Sequence, residues 1–193
     1  MLALIFIVLS CKDEVKSVVS HSTDPETTPT ILTTQITTLV SDSGITKYRI
    51  TSDRWDIYDE SEVPNWKFPT GIFLEQFDQN LKTIATFECD SASYLKNSKL
   101  WHFVGNVRSW NTKNELILTN DLYWDQNNKK VYSDSFIHIE QPERILEGFG
   151  FISNEQLTTY TLKRPMGIFP VDEEKRKARA ARRDSLAAAN SIQ

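Results

Sequence analysis

Between Tyr48 and Tyr160 the chain alternates bulky and polar positions in short runs, separated by turns rich in Asn, Asp and Lys. The clearest stretch is LWHFVGNVRSWNTKNELILTNDLYWDQNNKKVYSDSFIHI, from Leu100 to Ile139. Period-two patterning with β-branched and aromatic residues is the sequence form of antiparallel strands. Leu100 to Val107 predicts a strand that breaks at Gly105-Asn106. Leu116 to Trp124 predicts a second strand, Asp125 to Lys130 a polar turn, and Val131 to Ile139 the returning strand. Upstream, strands are expected over Thr46 to Thr51, Trp55 to Tyr58, Gly71 to Phe77 and Ile84 to Cys89. Asp59 to Pro69 (DESEVPNWKFP) is acidic and flanked by prolines, and predicts a loop. Arg164 to Pro170 is expected to end the sheet, because its two prolines bar pairing in a central strand. A repetitive sheet with this much apolar surface suggests a carrier or scaffold.

A weak internal similarity runs through the pattern. Phe87 to Tyr94 resembles Ile117 to Trp124, with Ala92 and Leu122 at matching places, and Gly150 to Tyr160 is a looser third copy. Such a unit would be a strand pair that buries its apolar face only by stacking on its neighbours; ordinary hairpin similarity is the alternative.

Composition narrows the function. The 193 residues suit one domain with flexible ends. A net charge of -4 gives no basic face for phosphate neutralisation, so no nucleic acid partner is expected. Neither GxxxxGK[ST] nor GxGxxG occurs. The three histidines, His21, His102 and His138, are scattered and form no metal-ligand spacing, although His102 and His138 could approach each other across adjacent strands. An enzyme is not expected, and no metal or cofactor is implied. Cys89, inside the alternating ATFEC, reads as a small buried hydrophobe.

Both ends differ from the middle. MLALIFIVLS is apolar but stops at Lys12-Asp13-Glu14, well short of the roughly 20 residues that span a bilayer. Val8-Leu9-Ser10-Cys11 is similar to the lipobox of bacterial lipoproteins, which makes Cys11 a candidate lipidation site. A positive leader is missing, so a clipped transmembrane anchor stays open beside the lipoprotein reading. Residues 11–40 read as a linker: His21 to Thr38 holds eight threonines and two prolines, with a weak helix or edge strand left open around Ile31 to Val40. The charged and Ala-rich segment 171–193 has no apolar stripe and reads as a solvated tail.

Taken in order, Ser41-Asp42-Ser43-Gly44, GIFLEQFD (Gly71 to Asp78), LWHFVGNV (Leu100 to Val107), LTNDLYWDQNNKKVYSD (Leu118 to Asp134) and GFGFISNEQLTTYTL (Gly148 to Leu162) resemble the LptC family of lipopolysaccharide-export proteins, in the short-anchored form typical of Bacteroidota. The resemblance covers about Ser41 to Val171 and departs from the enterobacterial pattern at the N-terminus. It implies an all-β fold, an open, twisted, antiparallel β-jellyroll (OstA/LptA-like) over residues 41–170, anchored through residues 1–10 at the periplasmic face of the inner membrane. It further implies lipopolysaccharide as cargo, taken from an inner-membrane ABC transporter and passed to a periplasmic bridge protein of the same fold. The C-terminal strand near Thr158 to Lys163 would meet the bridge protein, and the strand near Tyr48 to Thr51 the transporter.

Alternation then nominates the lining of the interior. Trp101, Phe103 and Val107 face inward with His102 and Asn106 outward; Ile72 and Leu74, then Leu118, Leu122 and Trp124, then Ile137 and Ile139 complete the set. A lipid groove and a closed core share this signature. The competing function is a structural or sugar-binding β-sandwich lipoprotein, which would carry an exposed aromatic platform over a filled core.

Overall fold

The computed structural model describes residues 24–170 and the isolated helical positions 174, 177 and 181. Cys11, the candidate lipidation site, and the lipobox-like residues before it lie outside the described residues. The described chain is built from eleven strands: β1 (Ile31–Asp42), β2 (Ile45–Tyr58), β3 (Asn65–Phe68), β4 (Ile72–Phe77), β5 (Thr83–Cys89), β6 (Ser91–Leu95), β7 (Leu100–Asn111), β8 (Leu116–Asp125), β9 (Lys130–Glu140), β10 (Arg144–Asn154) and β11 (Tyr160–Pro170). All pair antiparallel in one sheet, in the order β11-β10-β9-β8-β7-β5-β4-β2, with β1 on the other side of β2. The antiparallel strands are those the pattern predicts, in the all-β architecture the resemblance implies.

Two short strand pairs share the space between β2 and β7. β4 and β5 bridge Tyr48–Thr51 of β2 to Arg108–Asn111 of β7. At the other end, β3 and β6 bridge Asp56–Tyr58 to Leu100–Val104. A line of irregularities divides these halves. It shifts the register between Val104 and Val107 in β7, Leu118 and Tyr123 in β8, Phe149 and Phe151 in β10, and Glu147 and Gly148 where β10 meets β11. Bulges bend strands and increase their twist, and strands that bend in concert pass from one layer to another. Gly105 (φ +78) and Gly150 (φ +75) sit on the line in the left-handed region that glycine adopts without strain. A Cβ on Gly105 would also come within 2.7 Å of Asp90 Oδ2.

The sheet therefore folds over onto itself. Phe87 of β5 stacks on Phe103 and Trp124 from the opposite half, at 5.1 and 5.4 Å between centroids, and Tyr48 meets Trp124 edge-on at 5.6 Å. The interior between the two layers holds Ile50, Phe68, Leu74, Phe87, Trp101, Phe103 and Trp124, each essentially inaccessible to water.

Several local expectations need correction. Gly105-Asn106 bends β7 without ending it, because consecutive left-handed residues absorb one extra position and the ladder resumes at Val107. The expected loop 59–69 contains β3, whose Trp66 and Phe68 pair with Tyr94 and Ala92. The sheet does not stop at Arg164: β11 runs to Pro170, and its prolines are tolerated because β11 is an edge strand bonded on one side only. Ile31 to Val40, placed in the linker with a weak helix or edge strand left open, form most of the edge strand β1. Finally, Tyr48–Thr51 is no edge, since it pairs with β1 on one side and β4 on the other.

The three similar segments do not occupy equivalent elements. The first spans the β5–β6 junction, the second lies within β8, and the third includes the β10–β11 turn. Their likeness has a simpler source: Ala92 and Leu122 both pair with Phe103, and Tyr94 and Trp124 both pair with Trp101. Strands flanking the same partner in the same register need the same inward residues.

Candidate functional site

Nine of the ten positions nominated from alternation point into the interior. Ile72, Leu74, Trp101, Phe103, Val107, Leu122, Trp124, Ile137 and Ile139 are all at most 3% exposed. Leu118 is the correction. It pairs with Arg108 and His138 on the outer face and is only half-buried, while its neighbour Ile117 is fully buried inside. The cause is the irregularity between Leu118 and Tyr123: the inward set runs Ile117, Thr119 and then Leu122, Trp124, so the parity changes within the strand.

Pairing orders the interior into rows. One crosses the whole sheet: Thr38, Ile50, Leu74, Phe87, Ser109, Ile117, Ile139, Leu146 and Ile168 are successive cross-strand partners. Ile117 and Ile139 are fully buried, whereas Ile168 on β11 is 65% exposed. The apolar inner face thus continues from a sealed centre to an open edge. There it lines a cavity of about 240 Å³ formed by Leu146, Tyr160, Leu162, Pro165 and Ile168, with Arg144 at the rim.

Where the layers meet away from the bend, polar side chains join them. Tyr94 OH donates to Gln126 Oε1 at 3.2 Å, and Gln126 Nε2 donates to Tyr48 OH at 2.9 Å. A second cluster surrounds buried Glu115, whose Oε1 accepts from Gln141 Nε2 (2.7 Å) and Tyr160 OH (3.2 Å), and whose Oε2 accepts from Asn111 Nδ2 (2.6 Å). Burial pushes the phenols of Tyr48 and Tyr160 up to about 12, and at Tyr160 the Glu115 carboxylate adds to the effect.

The interior is not purely hydrocarbon. Ser109 Oγ and Trp101 Nε1 are buried with no hydrogen-bond partner among the described residues. Sequence reasoning missed Phe87, although Ala85, Phe87 and Cys89 alternate inward in β5. It also missed Leu157, a fully buried turn residue with no periodic signal.

Chemistry outside the interior is modest. His102 and His138 do not meet, because β8 separates their strands. His102 Nε2 is 2.9 Å from Asp121 Oδ2, and His138 lies between Glu147 (2.7 Å) and Glu140 (3.1 Å) on the outer face. Among the described residues no three His, Cys, Asp or Glu side chains are grouped to hold a metal. Cys89 is a free, buried thiol, pushed up to about 12 by burial, with Sγ donating to Ser91 O. Among the described residues no helix is long and apolar enough to cross a membrane.

No curated protein matches the chain. A family model described as "Lipopolysaccharide-assembly, LptC-related" matches residues 1–165, nearly the whole described sheet together with the N-terminal segment, and the chain belongs to that family.

Proposed function

We propose that this protein is a membrane-anchored periplasmic carrier, which receives lipopolysaccharide from an inner-membrane ABC transporter and passes it along a bridge of like-folded sheets. Family membership places the chain in lipopolysaccharide assembly; the carrier role is our reading of the fold. One observation carries it: the apolar inner row that runs from buried Ile117 and Ile139 through Leu146 to exposed Ile168 at the sheet edge. A closed sandwich would end such a row under polar cover. Here it opens at a strand edge, where a neighbour's sheet could continue it.

The physical need is plain. Each lipid methylene removed from water is worth about 0.8 kcal/mol, so a many-chained lipid crosses an aqueous space only under continuous apolar cover. Exposed strand edges are ordinarily a hazard, but they let sheets join by strand addition. Among the described residues β1 and β11 are the two edges, which we assign to the transporter and the bridge protein respectively. Energy for transport belongs to the partner ATPase. Cys11 is the proposed lipid anchor: fatty-acid labelling in cells should mark the wild type and be lost in Cys11→Ala.

The deciding experiment places a photo-reactive residue at Leu146 on the inner row or at Leu118 on the outer face. With the transporter energised, Leu146 should crosslink to lipopolysaccharide and Leu118 should not. Equal labelling of both sites, or of neither, would overturn the reading.

A further inference from the structure

The turn between β10 and β11 is compact and buries its tip. Asn154 holds it in a compact shape of its own: its Oδ1 accepts from the backbone N–H groups of Thr158 and Thr159 at 2.9 and 3.1 Å, and its Nδ2 donates to Thr158 Oγ1 at 2.9 Å. At its tip, Leu157 has φ +58, a left-handed conformation that costs a branched residue energy, yet its side chain is fully buried in the same cluster as Trp124 and Ile117. A turn residue held in this way, filling an apolar interior, occupies space that a chain of methylenes would suit.

What holds the turn down is side-chain contact with other strands and turns. Asn111 Nδ2 donates to Leu157 O at 2.7 Å, Lys113 Nζ donates to Thr158 O at 2.6 Å, and Trp124 Nε1 donates to Glu155 Oε1 at 3.0 Å. Asn111 and Lys113 belong to the β7–β8 end of one layer, and Trp124 to the other. The three bonds thus tie the turn across the mouth, and none is part of a backbone ladder, so they can break without unpairing any strand.

We propose that the turn at residues 154–159 is an internal plug, with Leu157 standing in the interior until an acyl chain displaces it. This rests on the reading of the interior as a lipid site. It keeps the centre of the empty carrier's interior sealed against water and couples filling to release of the turn. Because the turn leads directly into β11, its displacement would be felt first at the edge strand.

The test uses the full chain with Cys11→Ser and Cys89→Ala, carrying Lys113→Cys and Thr158→Cys joined by a short, reducible bis-maleimide linker. Uptake of fluorescent lipopolysaccharide should slow at least tenfold in the linked protein and recover when the linker is reduced. Glu155→Ala, which frees the Trp124 tie while removing no buried apolar side chain, should speed uptake several-fold. Equal uptake with and without the linker, or no acceleration in Glu155→Ala, overturns the plug while leaving the carrier reading intact. No uptake by the unlinked protein would overturn both.

Discussion

Phe87 and Phe103 stack with their ring centroids 5.1 Å apart and their planes within 6° of parallel, although the residue of β7 that pairs with Phe87 is Ser109. Ser109 lies six positions beyond Phe103, a span of about 20 Å were the strand straight at 3.3 Å per residue. Only a sheet folded over between those points brings the two rings together. The bulge at Gly105-Asn106 lies between them, and this contact reports the fold of the sheet more directly than any ladder bond.

That contact sets a stability prediction. Phe103 is fully buried and also stacks on Trp101 at 5.7 Å. Phe103→Ala should lose about 3–5 kcal/mol, through lost transfer energy and the cavity left behind, read as a fall in the urea midpoint. Phe103→Arg should fail to fold, since a guanidinium has no partner among these rings. A folded Phe103→Arg protein of near-native stability would mean that the interior is open at this point.

The bend itself can be attacked. Gly105→Ala would force a side chain into the left-handed region and against the Asp90 carboxylate, 2.7 Å from the new Cβ. It should cost more than about 1 kcal/mol, and near-ultraviolet circular dichroism should lose signal as the stack of Phe87, Phe103 and Trp124 loosens. Gly44, with φ +78 but nothing within 4 Å, is the control for backbone strain alone, and its alanine variant should leave the aromatic signal unchanged.

Alkaline pH should loosen the seams between the layers. Tyr48 and Tyr160 are pushed from the ordinary 10.0 to about 12. The native state therefore keeps protons that the unfolded chain has released. Their contribution to stability is complete below pH 10 and declines as pH rises from 10 to about 12. Both phenols should ionise late, together with unfolding, in a spectrophotometric titration. Tyr48→Phe combined with Tyr160→Phe should flatten the stability slope over that window. An unchanged slope would remove these phenols as its source.

How far the sequence discloses the site depends on whether each strand keeps its parity. Trp101, Phe103 and Val107 are legible because β7 accommodates its bulge with the odd-numbered residues inward on both sides. Leu118 is misread because β8 changes parity at the same line, and nothing in Leu-Thr-Asn-Asp-Leu distinguishes a bulge from a regular strand. Edge strands mislead in the opposite sense. β1 lies in a Thr- and Pro-rich segment where an edge strand is only one of the readings left open, and the two prolines of β11 suggest an early end, yet a strand bonded on one side does not need every N–H. Leu157 could not be found at all, because its burial comes from a turn folding across layers rather than from any period.

The two edges yield the last prediction. Leu39 on β1 and Met166 on β11 are 58% and 67% exposed, and among the described residues each strand lacks a ladder partner on its outer side. Tyr48 is unsuitable as an edge probe because β2 is paired on both sides, and Tyr160 turns its hydroxyl inward to Glu115. Photo-reactive residues at Leu39 and Met166 should therefore capture different partners in intact envelopes: the transporter at β1 and a like-folded bridge protein at β11. Strand addition joins backbone to backbone, so Ile168→Pro, a third proline in a strand already carrying Pro165 and Pro170, should weaken capture at Met166 and leave capture at Leu39 unchanged. If both positions capture the same partner, or Ile168→Pro weakens both equally, end-to-end joining through these edges is wrong.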